Sequence, residues 1–425
     1  MRLLRTAPFG AACLLFAATV CAQAAPPPET APVTIVPPLL QDAVRTVWKT
    51  SPEVQAARAE LDAAEARARA AAQPLYNPAI AFEAENADVD RRTAGVSLAL
   101  DLSGKGRARS DQGQAQLRIS EAVFDGSRRD VAGRWLKAWA SAALASRQSE
   151  MGRHRVDLMQ RFDELAGQRL KVGDISSPER DLAGLALGEA QAKQATLLGN
   201  EAAARGALVA IGGDTLATLP PLPDGAPPAT AGVEPKGVDD LPELRQARAR
   251  LKSADAGIKV AERARIPDPT VSLTGGQVRS GPFTDRVIGL HVSIPLPVFN
   301  TGRADVEAAR ADADAASAWM QSRRLILRAS QQETLTRYDA LRNAIEAFRG
   351  GRAAAFEDRT ALLEKLWRAG EISTSDYLVQ LKQSLDTALS GLELESQAWQ
   401  AWFDYLNAAG RLTDWIDGRT QDAPQ

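Results

Sequence analysis

Few residues in this 425-residue chain could do chemistry, and their spacing does not gather them. The two histidines, His154 and His291, fall in different halves with no ligand cluster nearby, so neither predicts a metal site. Both cysteines, Cys13 and Cys21, stand within the first 24 residues. There is no nucleophile elbow, phosphate loop or metal-ligand motif. Glu179 and Asp376 stand three residues after Ser176 and Ser373, which is the spacing of a capping box. Just upstream lie Val172-Gly173-Asp174-Ile175 and Ala369-Gly370-Glu371-Ile372, whose glycines predict left-handed helix stops. These residues point to helix punctuation, with no catalysis, no metal and no cofactor.

The leader sets the compartment. Arg2 and Arg5 precede an apolar run from Ala11 to Val20, and Ala22-Gln23-Ala24 supplies a small-x-small cleavage site. Cleavage after Ala24 removes both cysteines; lipidation at Cys21 is the competing processing route. Cleavage also moves the formal charge from −2 to −4, with 49 basic against 53 acidic residues, so nothing suggests nucleic acid. Beyond the leader no apolar run is long enough for a transmembrane helix. A chain of this kind can span a membrane only as a closed β-barrel, because lipid offers no partners to a backbone.

The positioning elements occur twice. Gly95–Leu102 alternates, with Val96, Leu98, Leu100 and Leu102 on one face. In Val287–Leu296 the residues Ile288, Leu290, Val292, Ile294 and Leu296 do the same. Ser97, Asp101, His291 and Ser293 take the opposite faces, suited to a wet lumen. Each strand feeds a long helical run, about 107–172 and 303–368, rich in good helix formers. Earlier strands are expected at Ile80–Glu85 and Thr270–Thr274, with loops at 86–93 and 275–285. Shorter helices are expected at about 40–72 (restarting at Ser51-Pro52), 178–211, 244–264 and 375–409. Ser51/Leu241, Asn77/Asp268, Gly106/Gly302 and Gly173/Gly370 recur in order at offsets of 190, 191, 196 and 197, which marks a tandem duplication.

The division follows: leader 1–24, first repeat 25–211, a Pro/Gly-rich linker or equatorial segment 212–240, second repeat 241–411, and a tail 412–425. The fold class is mainly α with a small β part. In each copy the two short helices laid end to end match the long one, so they can stack antiparallel along it. Four strands cannot close a membrane barrel, whereas three chains give twelve. Small residues such as Ala142, Ala143, Ala308 and Ala309 would allow close helix approach, and Trp135, Trp139, Trp319, Trp367, Trp399 and Trp402 are expected to pack. No tryptophan falls in a strand, leaving Phe82, Phe283, Phe299 and Tyr76 as aromatic-girdle candidates.

Three features together carry a resemblance: the duplicated layout, Pro-Leu-Pro-Val-Phe-Asn-Thr-Gly-Arg-Ala-Asp-Val-Glu-Ala-Ala-Arg at 295–310, and Arg-Ala-Gly-Glu-Ile-Ser-Thr-Ser-Asp-Tyr-Leu at 368–378. The chain resembles the TolC family of outer-membrane efflux proteins. The Asp101-Leu102-Ser103-Gly104-Lys105-Gly106-Arg107 junction, with the Asn77-Pro78/Asp268-Pro269 pair, is most similar to the CzcC-type branch serving heavy-metal pumps. The resemblance implies a homotrimer forming a 12-stranded outer-membrane barrel, continued by an α-helical periplasmic barrel. It implies a periplasmic adaptor and an inner-membrane pump of the RND type as partners, and passive conduction of heavy-metal cations. It maps adaptor docking onto Val172, Gly173, Ile175 and Ser176 and onto Ala369, Gly370, Ile372 and Ser373. It maps a pore aperture onto Asp376, with Glu179, Asp174 and Glu371 as further candidates.

Two rivals remain at this point. The same channel could carry drugs or other small organic compounds, or the chain could be a periplasmic coiled-coil adaptor or scaffold. The greasy strand faces argue against a scaffold, which has no need to present them to lipid.

Overall fold

The computed structural model describes residues 38–86, 88–212, 220–230, 233–350 and 356–417. The leader with its cleavage or lipidation site, the lead-in to residue 37 and the end of the tail lie outside them. Helices α1 (Pro38–Thr50) and α2 (Pro52–Ala71) precede strands β1 (Ala79–Glu85) and β2 (Val89–Ala99). Helices α3 (Lys105–Lys171) and α4 (Ser177–Gly212) complete the first copy. The second runs α5 (Pro242–Ala264), β3 (Thr270–Ser280), β4 (Phe283–Ser293), α6 (Arg303–Gly350), α7 (Phe356–Arg368) and α8 (Thr374–Ala408). A short α9 (Leu412–Ile416) follows and buries Leu412, Trp415 and Ile416. The expected unbroken run from 303 to 368 crosses 351–355, which lie outside the described residues.

Helix α3 has 67 residues, roughly 100 Å at 1.5 Å each. Propensity alone does not hold such a rod; a seam does. The buried residues of α2 are Val54, Ala57, Leu61, Ala64 and Ala68, spaced alternately three and four apart. On α3, Ala108, Ala115, Ala122 and Arg129 recur every seven. That period makes helices pack knobs-into-holes at a shallow angle. Both α2 and α4 lie along α3, as their summed lengths require. Gly113 and Gly152 sit where the fit is tightest: a Cβ on Gly152 would meet the Gln194 Oε1 at 2.0 Å. Of the small residues named from sequence, Ala142 is buried, whereas Ala308 is exposed.

The main core lies midway along α3. Trp135, Leu136 and Leu144 meet Tyr338 of α6, Trp402, Phe403 and Tyr405 of α8, and Leu40 of α1. The described residues of the Pro/Gly-rich segment between the copies, 220–230 and 233–240, are tied down. Leu222 is buried in this core, Tyr405 Oη donates to Val233 O (2.7 Å), and Lys236 N donates to Ala409 O (2.9 Å). Five of the six tryptophans expected to pack are buried. The exception is Trp319 of α6, 74 % exposed together with Leu325 and Ile326, because it faces away from the seam that α6 shares with α5 and α8.

Strands run longer toward the turns than the sequence indicates. The expected loops 86–93 and 275–285 are mostly strand, and the chain reverses at Gly281-Pro282. Leu100 to Leu102 and Ile294 to Leu296 lie beyond the strand ends.

Candidate functional site

The four strands make one antiparallel sheet in the order β1-β2-β3-β4, so the two copies join through β2 and β3 while β1 and β4 are edges. Register sorts the side chains by face. One face carries the rows Ile80/Val96/Leu273/Leu290 and Phe82/Ala94/Gly275/Ile288, then Leu98/Val271/Val292. The other carries Ala79/Ser97/Ser272/His291 and Ala81/Gly95/Thr274/Gly289. Along β2 the apolar face is exposed at every position from Arg92 to Leu98, while the polar face is half-buried. That is the sense expected of a sheet curved with its apolar side outermost. Phe82 is on the apolar face, but Phe283 shares a row with Val89 and Ser280 on the other, which removes it from a lipid-facing girdle.

Asp101 is not in the strand wall. Its Oδ1 accepts from Lys105 N (2.8 Å) and its Oδ2 from Gly106 N (2.7 Å), capping α3 at the junction. Those amides hold its carboxyl below the usual carboxylate range. Tyr76, also named for the girdle, instead donates to Asp268 Oδ2 (2.5 Å), which Lys105 Nζ also reaches (2.8 Å). This buried carboxylate therefore ties the first copy to the second directly beneath the sheet.

At the opposite end of the helices are the two turns. Gly173 has φ 78° and Gly370 φ 74°. Asp174 N donates to Arg169 O and Gly173 N to Leu170 O, and Glu371 and Gly370 repeat the pattern on Leu366 and Trp367. These are Schellman stops. Val172, Gly173 and Asp174 are exposed, as are Ala369, Gly370 and Glu371, whereas Ile175 and Ile372 pack onto the tip core. Ser176 N donates to Glu179 Oε2 (2.8 Å), as does Ser176 Oγ (2.8 Å). Asp376 N donates to Ser373 Oγ (3.0 Å), which in turn donates to Asp376 Oδ2 (2.8 Å). Glu179 thus caps a helix start, its carboxyl held below its ordinary range by the Ser176 amide and then by its hydroxyl, whereas at the second turn Ser373 is the cap and the Asp376 carboxylate holds its hydroxyl.

Sequence reading missed what joins the two turns. Tyr377 stacks on Phe162 and Trp367, which are tilted against each other, with ring centroids 4.6 to 5.3 Å apart, and burial pushes the Tyr377 phenol up to about 12. Arg169 covers the Trp367 ring at 4.6 Å, donates to the carbonyls of Trp367 and Arg368, and pairs with Asp174 at 3.5 Å. A guanidinium in the last turn of α3 therefore closes the end of α7, satisfying carbonyls that a helix terminus leaves open. Its placement four residues before Gly173 was the available signal. Among the described residues no cluster of metal-ligating side chains occurs, and His154 and His291 lie far apart on α3 and β4.

The model of the outer membrane efflux protein family matches residues 44–214 and 240–411, one stretch for each copy. The chain belongs to that family. It is the outer-membrane channel component of a tripartite efflux system, a conduit and not an enzyme. Among curated proteins it is similar to the cobalt-zinc-cadmium resistance protein CzcC of Cupriavidus metallidurans, 25% identical over 82% of this chain and 84% of that one. It is also similar to the nickel-cobalt-cadmium resistance protein NccC of Alcaligenes xylosoxydans xylosoxydans, 28% identical over 79% and 76%. Its fold matches a membrane protein from Pseudomonas aeruginosa with a TM-score of 0.73 at 20% identity, covering 88% of this chain and 94% of that one.

Proposed function

We propose that three copies of this chain close a 12-stranded barrel in the outer membrane, continue it as a helical tunnel into the periplasm, and conduct heavy-metal cations delivered by an adaptor and an inner-membrane pump. The observation that carries this reading is the sheet itself: four strands, one apolar face, and two free edges at β1 and β4. A lone sheet with open edges is not viable in lipid, and pairing β4 of one copy with β1 of the next removes every edge. Exposed apolar side chains along the helices, Leu182 and Leu185 on α4 and Trp319, Leu325 and Ile326 on α6, supply a surface for neighbouring copies.

Gly173 and Gly370 with their flanking residues are the adaptor-docking surface, since no atom lies within 4 Å of a Cβ placed on either. Asp376 and Glu179, with Asp174 and Glu371, ring the aperture; capping a helix and facing a pore are compatible for an exposed carboxylate. Metal cargo is supported by the resistance proteins CzcC and NccC, each similar to this chain over about four-fifths of its length. The test is a deletion strain. Loss of the gene sensitises cells to cobalt, zinc, cadmium or nickel and leaves tolerance to lipophilic drugs unchanged; the reverse profile contradicts the metal assignment.

A further inference from the structure

Beyond its apolar rows the same sheet face changes character. Arg92, Gln277 and Arg286 form one cross-strand row, and Arg279 occupies the next, opposite Asp90 on β2 and Thr284 on β4. All three arginines are exposed, and none makes an ion pair or side-chain hydrogen bond among the described residues. Asp90 is the one acid in these two rows, and it stays unpaired, its Oδ1 without a partner. The opposite face at the same level carries Glu85, Arg91, Val278 and Asp285. In these rows the apolar side therefore carries a net positive charge, three arginines against Asp90, and the polar side a net negative one, Glu85 and Asp285 against Arg91.

Geometry makes the three arginines one group. Arg92 and Arg286 flank Gln277 across neighbouring strands about 4.8 Å apart, and Arg279 lies two residues further along the central strand, diagonal to both. Three guanidiniums against the single Asp90 carboxylate leave a net positive charge that favours a further anion among them. The helices attach at the Ala79/Ala99 end of the sheet, so these rows lie toward the turns, at the border of the band that begins with Val271 and Val292. Arginine costs far less at such a border than at the midplane of a barrel wall.

We propose that Arg92, Arg279 and Arg286 form a clamp for the phosphorylated headgroup of the glycolipid in the outer leaflet. The proposal rests on the reading that the apolar face meets lipid. Guanidinium forks match phosphate oxygens two at a time, and three forks around one neutral amide, Gln277, suit a headgroup bearing more than one phosphate. Nine such side chains would ring a closed barrel of three chains and pin it at a fixed depth.

The test uses full-length protein extracted from outer membranes and examined by native mass spectrometry. Wild type is compared with the triple variant R92Q/R279Q/R286Q, each offered bisphosphorylated lipid A, dephosphorylated lipid A or phosphatidylglycerol. Wild type retains bisphosphorylated lipid A at least on the order of tenfold more than the triple variant does, and more than it retains either other lipid. Equal retention by wild type and variant overturns the clamp, as does equal retention of phosphatidylglycerol. If the triple variant does not assemble, R279Q alone carries the comparison, with a loss on the order of threefold expected and unchanged retention overturning it. A wild-type protein that leaves the membrane fraction without detergent sinks the underlying channel reading, whereas an intact membrane oligomer without bound lipid A sinks only the clamp.

Discussion

Asp376 and Glu179 each do a local job that the chain shows directly, and each is asked to do a second. Asp376→Asn keeps an acceptor for Ser373 Oγ but removes the charge, so it separates the two roles. In planar bilayers the variant has a raised conductance, with a cation-over-anion preference lowered on the order of twofold. Unchanged conductance and preference leave Asp376 with its bond to the capping Ser373 hydroxyl alone. For Glu179 the discriminating variable is pH. Its folded pKa is depressed by the Ser176 amide, so its contribution is complete above the ordinary value of 4.5 and is lost as pH falls through the lower folded value. The Ser176 amide resonance thus shifts with a midpoint below 4.5, and Glu179→Gln abolishes that shift. A midpoint above 4.5 contradicts the hydrogen bond.

At the scale of elements, the tip is a joint between α3 and α7 fastened by Arg169 and Trp367. Arg169→Ala removes a ring contact and two charge-assisted bonds to carbonyls, together worth about 1–3 kcal/mol. Hydrogen exchange accelerates in Leu362–Arg368 while the core around Trp135 is unaffected; uniform acceleration or none contradicts the joint. Much of this level was legible from sequence. The long runs of helix formers, the glycine stops and the Ser-x-x-acid pairs are local signals, and the local structure follows them. The strands were legible only in their apolar halves. Arg91, Arg92 and Thr93 read as loop because nothing apolar marks them, and Gly275-Gly276 read as the start of the loop 275–285. The sheet explains the second glycine: a Cβ on Gly276 would lie 2.1 Å from the Arg92 carbonyl oxygen on the neighbouring strand. Arg169 stacking on Trp367 spans 198 positions, and no periodicity in one chain reports a contact between two copies.

At the scale of the whole molecule, a sheet with two open edges and a greasy outer side has one economical fate, which is closure with its own kind. Within one chain β1 and β4 are separated by two strands, about 14 Å at 4.8 Å per step, while a disulfide needs Cα atoms within roughly 7 Å. Single cysteines placed along β1 (Ala79 to Glu85) and along β4 (Phe283 to Ser293) therefore cannot join inside a chain. Replacing Cys13 and Cys21 by serine in every variant leaves the introduced pair as the only thiols. The decisive measurement is a crosslinking scan of β1/β4 double-cysteine variants in intact outer membranes, read as a ladder on a denaturing gel. The account expects one register of pairs to give covalent dimers and trimers and nothing larger. A scan in which every pair stays monomeric, or in which crosslinking runs on past three chains, contradicts it.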